Sequence, residues 1–174
     1  MRLFYFSLVF FFSACLGESS TVLPSYTGAI NEVVIVMDDP IWNGASGDSL
    51  RMSLSKEVPG ISWSEPLFDL IQVNSAGFSR IFKTHRNLII VQKGQQSMVY
   101  FDLKTYAQNQ WLCIVEYRTI EDLSKLLGQY APIIAYKIGQ KENERYMKML
   151  PSKRQYKKLS KGFNLNFGLP NDYK

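Results

Sequence analysis

The chain contains one histidine, His85, among 174 residues. A zinc site built from several imidazoles is therefore excluded. A Ser-His-Asp triad would have to use His85, which stands in the polar turn Lys83-Thr-His-Arg-Asn87 with nothing adjacent to orient the ring. Cysteine is almost as scarce. Cys113 lies in an apolar stretch and reads as a core residue rather than a nucleophile, which leaves Cys15. No apolar run reaches the ~20 residues that a membrane-spanning helix needs. Internal repeats are absent, and so are low-complexity segments beyond the N-terminus.

The loop Asn43-Gly-Ala-Ser-Gly-Asp-Ser49 lacks the lysine that a Walker loop places after its last glycine. Its spacing is also not that of a nucleophile elbow. Asp38, Asp39 and Asp48 surround it and would repel phosphate. Their oxygens suit a hard cation, but acids at a strand end and a helix start ordinarily cap and solvate. No metal and no cofactor is expected.

What is present begins at the N-terminus. Arg2 supplies a positive charge, Leu3 to Phe12 is apolar apart from Ser7, and Ser13-Ala14-Cys15 follows. A charged start, a short apolar core and small residues are the parts of a secretory signal. Phe12-Ser13-Ala14-Cys15 resembles the lipobox of bacterial lipoproteins, with Phe12 where Leu is usual. That resemblance implies cleavage after residue 14 and acylation of Cys15. Two other outcomes are a soluble product cut after Gly17 and an uncleaved N-terminal anchor. Residues 15–27, rich in Ser, Thr, Gly and Pro, read as the lipidated cysteine and a flexible tether. With Cys15 acylated, no internal disulfide can form.

The remaining residues suffice for one domain with a core. The net charge of +5 is unevenly placed. From residue 15 to 136 there are nine basic and twelve acidic side chains; from 137 to 174 there are ten basic and three acidic. Lys153, Arg154, Lys157, Lys158 and Lys161 are the densest basic run. An exported protein meets little nucleic acid, so no nucleic-acid partner is expected. A solvated helix face is the plain reading of the run, and attraction to anionic lipid or an acidic partner is the other.

Hydrophobic patterning predicts a strand over 32–37, a helix from about Ser46 to Val58, and a strand over 65–73. A short helix carrying Phe78, Ile81 and Phe82 should follow, then strands at 88–91, 98–103 and 111–117. Thr119-Ile-Glu-Asp122 looks like a cap for a helix that Gly128 ends. Pro132 opens a second helix running toward Leu150. Residues 163–167 alternate like a strand. Helices interspersed with neighbouring strands favour an α+β fold over residues 28–174, with a mostly antiparallel sheet and helices on one face.

The phrases Gly28-Ala-Ile-Asn-Glu-Val-Val-Ile-Val-Met37, Trp42, Gly47-Asp48, Glu65-Pro-Leu-Phe-Asp69, Phe78 and Thr84-His-Arg-Asn-Leu-Ile89 occur in this order. Together they resemble an uncharacterised lipoprotein family of the Bacteroidetes, domain of unknown function 4837. The resemblance implies lipid attachment at Cys15 and brings no catalytic residues. Members of that family are longer, which implies that this chain is an N-terminal portion of an incomplete domain, with an exposed apolar face on the sheet or the 120–150 helices.

The leading expectation is a lipid-anchored envelope protein with a binding or structural role. It would sit on a periplasmic or outer-membrane face and meet an unknown envelope partner. The alternatives are an envelope hydrolase completed by a missing C-terminal half and a soluble secreted binding module. Candidate ligand-binding residues are Asp38, Asp39, Trp42, Asp48, His85 and Arg86.

Overall fold

The computed structural model describes residues 22–101 and 105–149, with the backbone of 154–155 and 168–169. Cys15 and its leader, most of the basic run at 153–161 and the expected strand at 163–167 lie outside the described residues.

The fold is α+β. Its centre is a five-stranded sheet of β1 (Glu32–Val36), β2 (Asp69–Val73), β3 (Asn87–Lys93), β4 (Met98–Tyr100) and β5 (Trp111–Tyr117), ordered β2-β1-β3-β5-β4. The helices are α1 (Asp39–Trp42), α2 (Ala45–Leu54), α3 (Arg80–Lys83) and α4 (Ile120–Met149). A two-residue ladder, β6 (Arg154–Gln155) with β7 (Gly168–Leu169), stands apart from the main sheet.

The sheet is mostly parallel, which corrects the antiparallel expectation. β1 pairs in parallel with β2 and β3, and β3 pairs in parallel with β5. Only β4 runs antiparallel, on the outer edge of β5. Burial is the reason. β3 and β5 are apolar on both faces, as central parallel strands must be. The short, half-buried β4 fits only an edge, so the chain passes β5's position and returns to it.

Side chains alternate between the two faces. Val33, Ile35, Met37, Ile89, Val91, Cys113 and Val115 point toward α2 and α4 and form the larger core. Val34, Val36, Leu88, Ile90 and Leu112 point the other way, where Phe78, Phe82 and Tyr106 cover them. The two long helices therefore share one face, and α3 with its flanking turns closes the other.

α4 is continuous through Gly128 and Pro132, where two helices were expected. Leu123, Leu127, Ala131, Ile134, Ala135 and Ile138 form one buried stripe along it. Removing that stripe from water outweighs the one hydrogen bond lost at Pro132. The stripe continues into Glu142 and Arg145, both buried. The outer side of the same helix exposes Ile133, Tyr136, Tyr146 and Met147. Among the described residues no helix is long and apolar enough to cross a membrane.

The last part of the expected tether is docked to the body. Gln108 N–H donates to Pro24 O, Thr27 N–H to Thr84 O and Arg86 N–H to Thr27 O, at 2.8–2.9 Å.

A Cβ at Gly128 would meet nothing within 4 Å. Gly128→Ala should therefore stabilise the fold by about 1 kcal/mol through helix propensity. A Cβ at Gly47 would lie 1.8 Å from the Trp42 carbonyl oxygen, so Gly47→Ala should destabilise. Urea unfolding of both variants checks the opposite signs.

Candidate functional site

The six residues singled out from sequence separate to the two ends of the sheet. Asp38 and Asp39 follow β1 at the C-terminal ends of the parallel strands, whereas His85 and Arg86 precede β3 at the N-terminal ends. No single cleft gathers them.

At the C-terminal end the acids are held by neighbouring side chains. Asp38 Oδ1 accepts from the Ser75 hydroxyl at 2.7 Å and the Ser75 N–H at 3.3 Å. Asp39 Oδ1 accepts from Gln72 Nε2 at 2.9 Å. Asp48 pairs with Arg51 at 2.6 Å, and the Arg51 guanidinium lies 4.5 Å from the centre of the Trp42 ring. Arg51 also donates to the Trp42 carbonyl. These contacts stitch α1 to α2 and β1 to the turn after β2. Burial pushes the Tyr117 hydroxyl pKa up, and the charge of Asp38 adds to the shift. Among the described residues no group of three His, Cys, Asp or Glu side chains is placed to hold a metal ion.

The N-terminal end is more densely organised. The turn after α3 delivers His85, Arg86 and Asn87 into the interior, and α4 brings Glu142 and Arg145 against them. Glu142 Oε1 accepts from Arg86 Nε at 2.9 Å and Asn87 Nδ2 at 2.8 Å, and also from Arg145 Nη1. Its Oε2 accepts from Arg86 Nη2 at 2.6 Å. Asn87 donates also to Glu32 O and accepts from Arg145 Nη1 at 2.8 Å. Arg145 Nη2 donates to the carbonyls of Arg86 and Asn109, each at 2.8 Å. The Tyr26 ring lies against both guanidiniums, with centroid distances of 5.1 Å to Arg86 and 5.0 Å to Arg145.

His85 sits beside this cluster. Nδ1 is 3.2 Å from Asn87 O and Nε2 is 3.3 Å from Glu32 Oε2. Gly28, at φ +97°, packs flat on the ring, where a Cβ would come within 2.3 Å of Nε2. Gln110 Nε2 completes the floor by donating to the carbonyls of Lys83 and His85 at 2.7 Å. The Ala29 N–H holds the Glu32 carboxyl below its usual pKa against the cost of burial, and His85 adds to the effect. Desolvation lowers the Arg145 pKa more than Glu142 raises it.

The arrangement fastens α4 to the start of β3. Glu142 has both oxygens committed to N–H donors, so it serves as a shared counter-charge for the two guanidiniums. Sequence reasoning found His85 and Arg86 but missed Asn87, Glu142 and Arg145. Residues 142 and 145 extend the apolar stripe of α4 by steps of four and three, and charges on a buried stripe are the available signal.

A family model described as a domain of unknown function (DUF8532) matches residues 26–150. This overturns the assignment to domain of unknown function 4837, and the length comparison drawn from that family falls with it. No curated protein and no solved structure matches the chain.

Removing Glu142 would leave two guanidiniums facing each other without water. Glu142→Ala should cost about 3–5 kcal/mol in urea unfolding. Because the Glu32 pKa is lowered by folding, its contribution is complete above the ordinary glutamate value of about 4.3 and is lost as pH falls from there through the lower folded value. Glu32→Gln should flatten the acid limb of a stability-against-pH curve, and an unchanged limb would assign the acid loss to other carboxyls.

Proposed function

The chain belongs to the DUF8532 family, which brings no activity with it, and we propose from its N-terminal sequence that it is a lipid-anchored protein of the cell envelope with a binding or structural role. The observation that carries this reading is the N-terminal order of Arg2, the apolar run Leu3 to Phe12, and Ser13-Ala14-Cys15. Export and cleavage before Cys15 would expose its thiol for acylation. Each acyl CH₂ buried in a bilayer contributes about 0.8 kcal/mol, and two chains suffice for stable attachment. The partners are membrane lipid, reached through the acylated cysteine, and an envelope component met by the folded body.

A binding role is supported by how the interior charges are used. Arg86, Asn87, Glu142 and Arg145 hold one another and the backbone. Rigid attachment of α4 to the sheet would present the helix's outer side chains, Ile133, Tyr136 and Met147, on a fixed surface.

Metabolic labelling with a radioactive fatty acid, followed by membrane fractionation, tests the anchor. The wild-type chain should be labelled and should pellet with membranes. Cys15→Ala should be unlabelled and should not pellet. Intact-mass analysis showing residues 1–14 retained and residue 15 unmodified would overturn the reading.

A further inference from the structure

The last turns of α4 border a cavity of about 170 Å³ lined by Tyr26, Asn109, Lys141, Glu144, Arg145, Lys148 and Met149. We propose that this cavity is an anion site that takes a phosphate group.

Three cations enter it from one helix face. Lys141, Arg145 and Lys148 are spaced i, i+4 and i+7, so they project from successive turns in one direction. Arg86 stands beside Arg145, against the same Tyr26 ring. Against these four cations are two carboxylates. Glu142 is shared by both guanidiniums, and Glu144 pairs with Lys141 at 3.3 Å. Arg145 is buried, and its Nε has no hydrogen-bond partner among the described residues. Arg145 shares the single Glu142 carboxylate with Arg86, so the buried pair keeps one net positive charge beside the cavity.

The class of anion follows from which donors remain. Both Nη groups of Arg145 already donate to Asn87, Glu142 and two carbonyls. The guanidinium fork that would clasp a planar carboxylate is therefore occupied. What remains is positive potential from Arg145 and two lysines, which act as point charges on flexible stems and suit a multiply charged tetrahedral oxyanion. The volume exceeds the roughly 10–15 Å³ that one water needs, so a phosphate fits with part of its hydration. Glu144 and the carbonyl end of α4 oppose an anion. The helix-end term is small at a solvated terminus, and the cations outnumber the acids.

Two sources share this chemistry, a free phosphate ester and a phospholipid headgroup. The site does not depend on Cys15, so a Cys15→Ala chain should bind equally well, and failure of the lipid anchor would leave this proposal standing.

The test uses the full chain in neutral detergent at physiological salt. Isothermal titration would be run with inorganic phosphate, glycerol phosphate and a soluble short-chain phosphatidylglycerol. Saturable binding is expected for at least one probe. Preference for glycerol phosphate identifies a free ester, and preference for the lipid identifies a headgroup. The double variant Lys141→Ala, Lys148→Ala should lose about tenfold in affinity, as expected for charge-assisted contacts, with its ligand-free melting temperature unchanged. Glu144→Gln should bind more tightly. Replacing two exposed lysines elsewhere, Lys56 and Lys125, should change nothing. Absence of saturable binding to all three probes would overturn the proposal. So would an equal loss in the Lys56/Lys125 control, because attraction would then be a property of the whole surface.

Discussion

The fold depends on a single buried carboxylate. Glu142 lies between the guanidiniums of Arg86 and Arg145, with the Asn87 amide closing the remaining side. Two like charges in a region from which water is excluded would repel strongly. One carboxylate with both oxygens occupied makes their proximity tolerable, at the cost of desolvating all three ions. The hydrogen bonds then reach outward to the Arg86 and Asn109 carbonyls and to Glu32 O. The starts of β1 and β3, the approach to β5 and the distal half of α4 thus meet at one point.

This lock explains the layout around it. Parallel strands leave their N-terminal ends side by side, and backbone groups there need partners that the ladder does not supply. Side chains from the turn before β3 and from α4 provide them. The N-terminal segment lies across the top, Thr27 bonding on both sides of His85 and Tyr26 covering the two guanidiniums. The opposite end of the sheet is built differently. Its acids are met by Ser75, Gln72 and Arg51 near the surface, in short contacts that join adjacent elements.

Much of the fold was legible from residue order. The bounds of β5, and those of β1 to within one residue, follow from apolar runs, as do the places of β2 and β3, because burial and turn chemistry are written locally; β2 begins four residues later than expected and β3 extends beyond its expected run at both ends. Strand direction was not legible. A turn at Gly94 invites an antiparallel hairpin between β3 and β4, yet β4 pairs only with β5. Nor was the continuity of α4, because Gly128 and Pro132 are local stop signals that a long buried stripe overrides. Of the cluster, His85 and Arg86 stood out as polar residues before a strand. Glu142 and Arg145 looked like ordinary members of a charged helix end.

The sequence alone determined the α+β class, most element positions and the burial of Cys113, since these depend on periodicity within a few residues. Only the tertiary structure decided the parallel sheet order and which charges lie inside. Arg86 and Glu142 are separated by 56 positions, and nothing local tells a solvated glutamate from one that neutralises two buried guanidiniums. That distinction exists only once α4 is laid along the sheet and water is removed from between them.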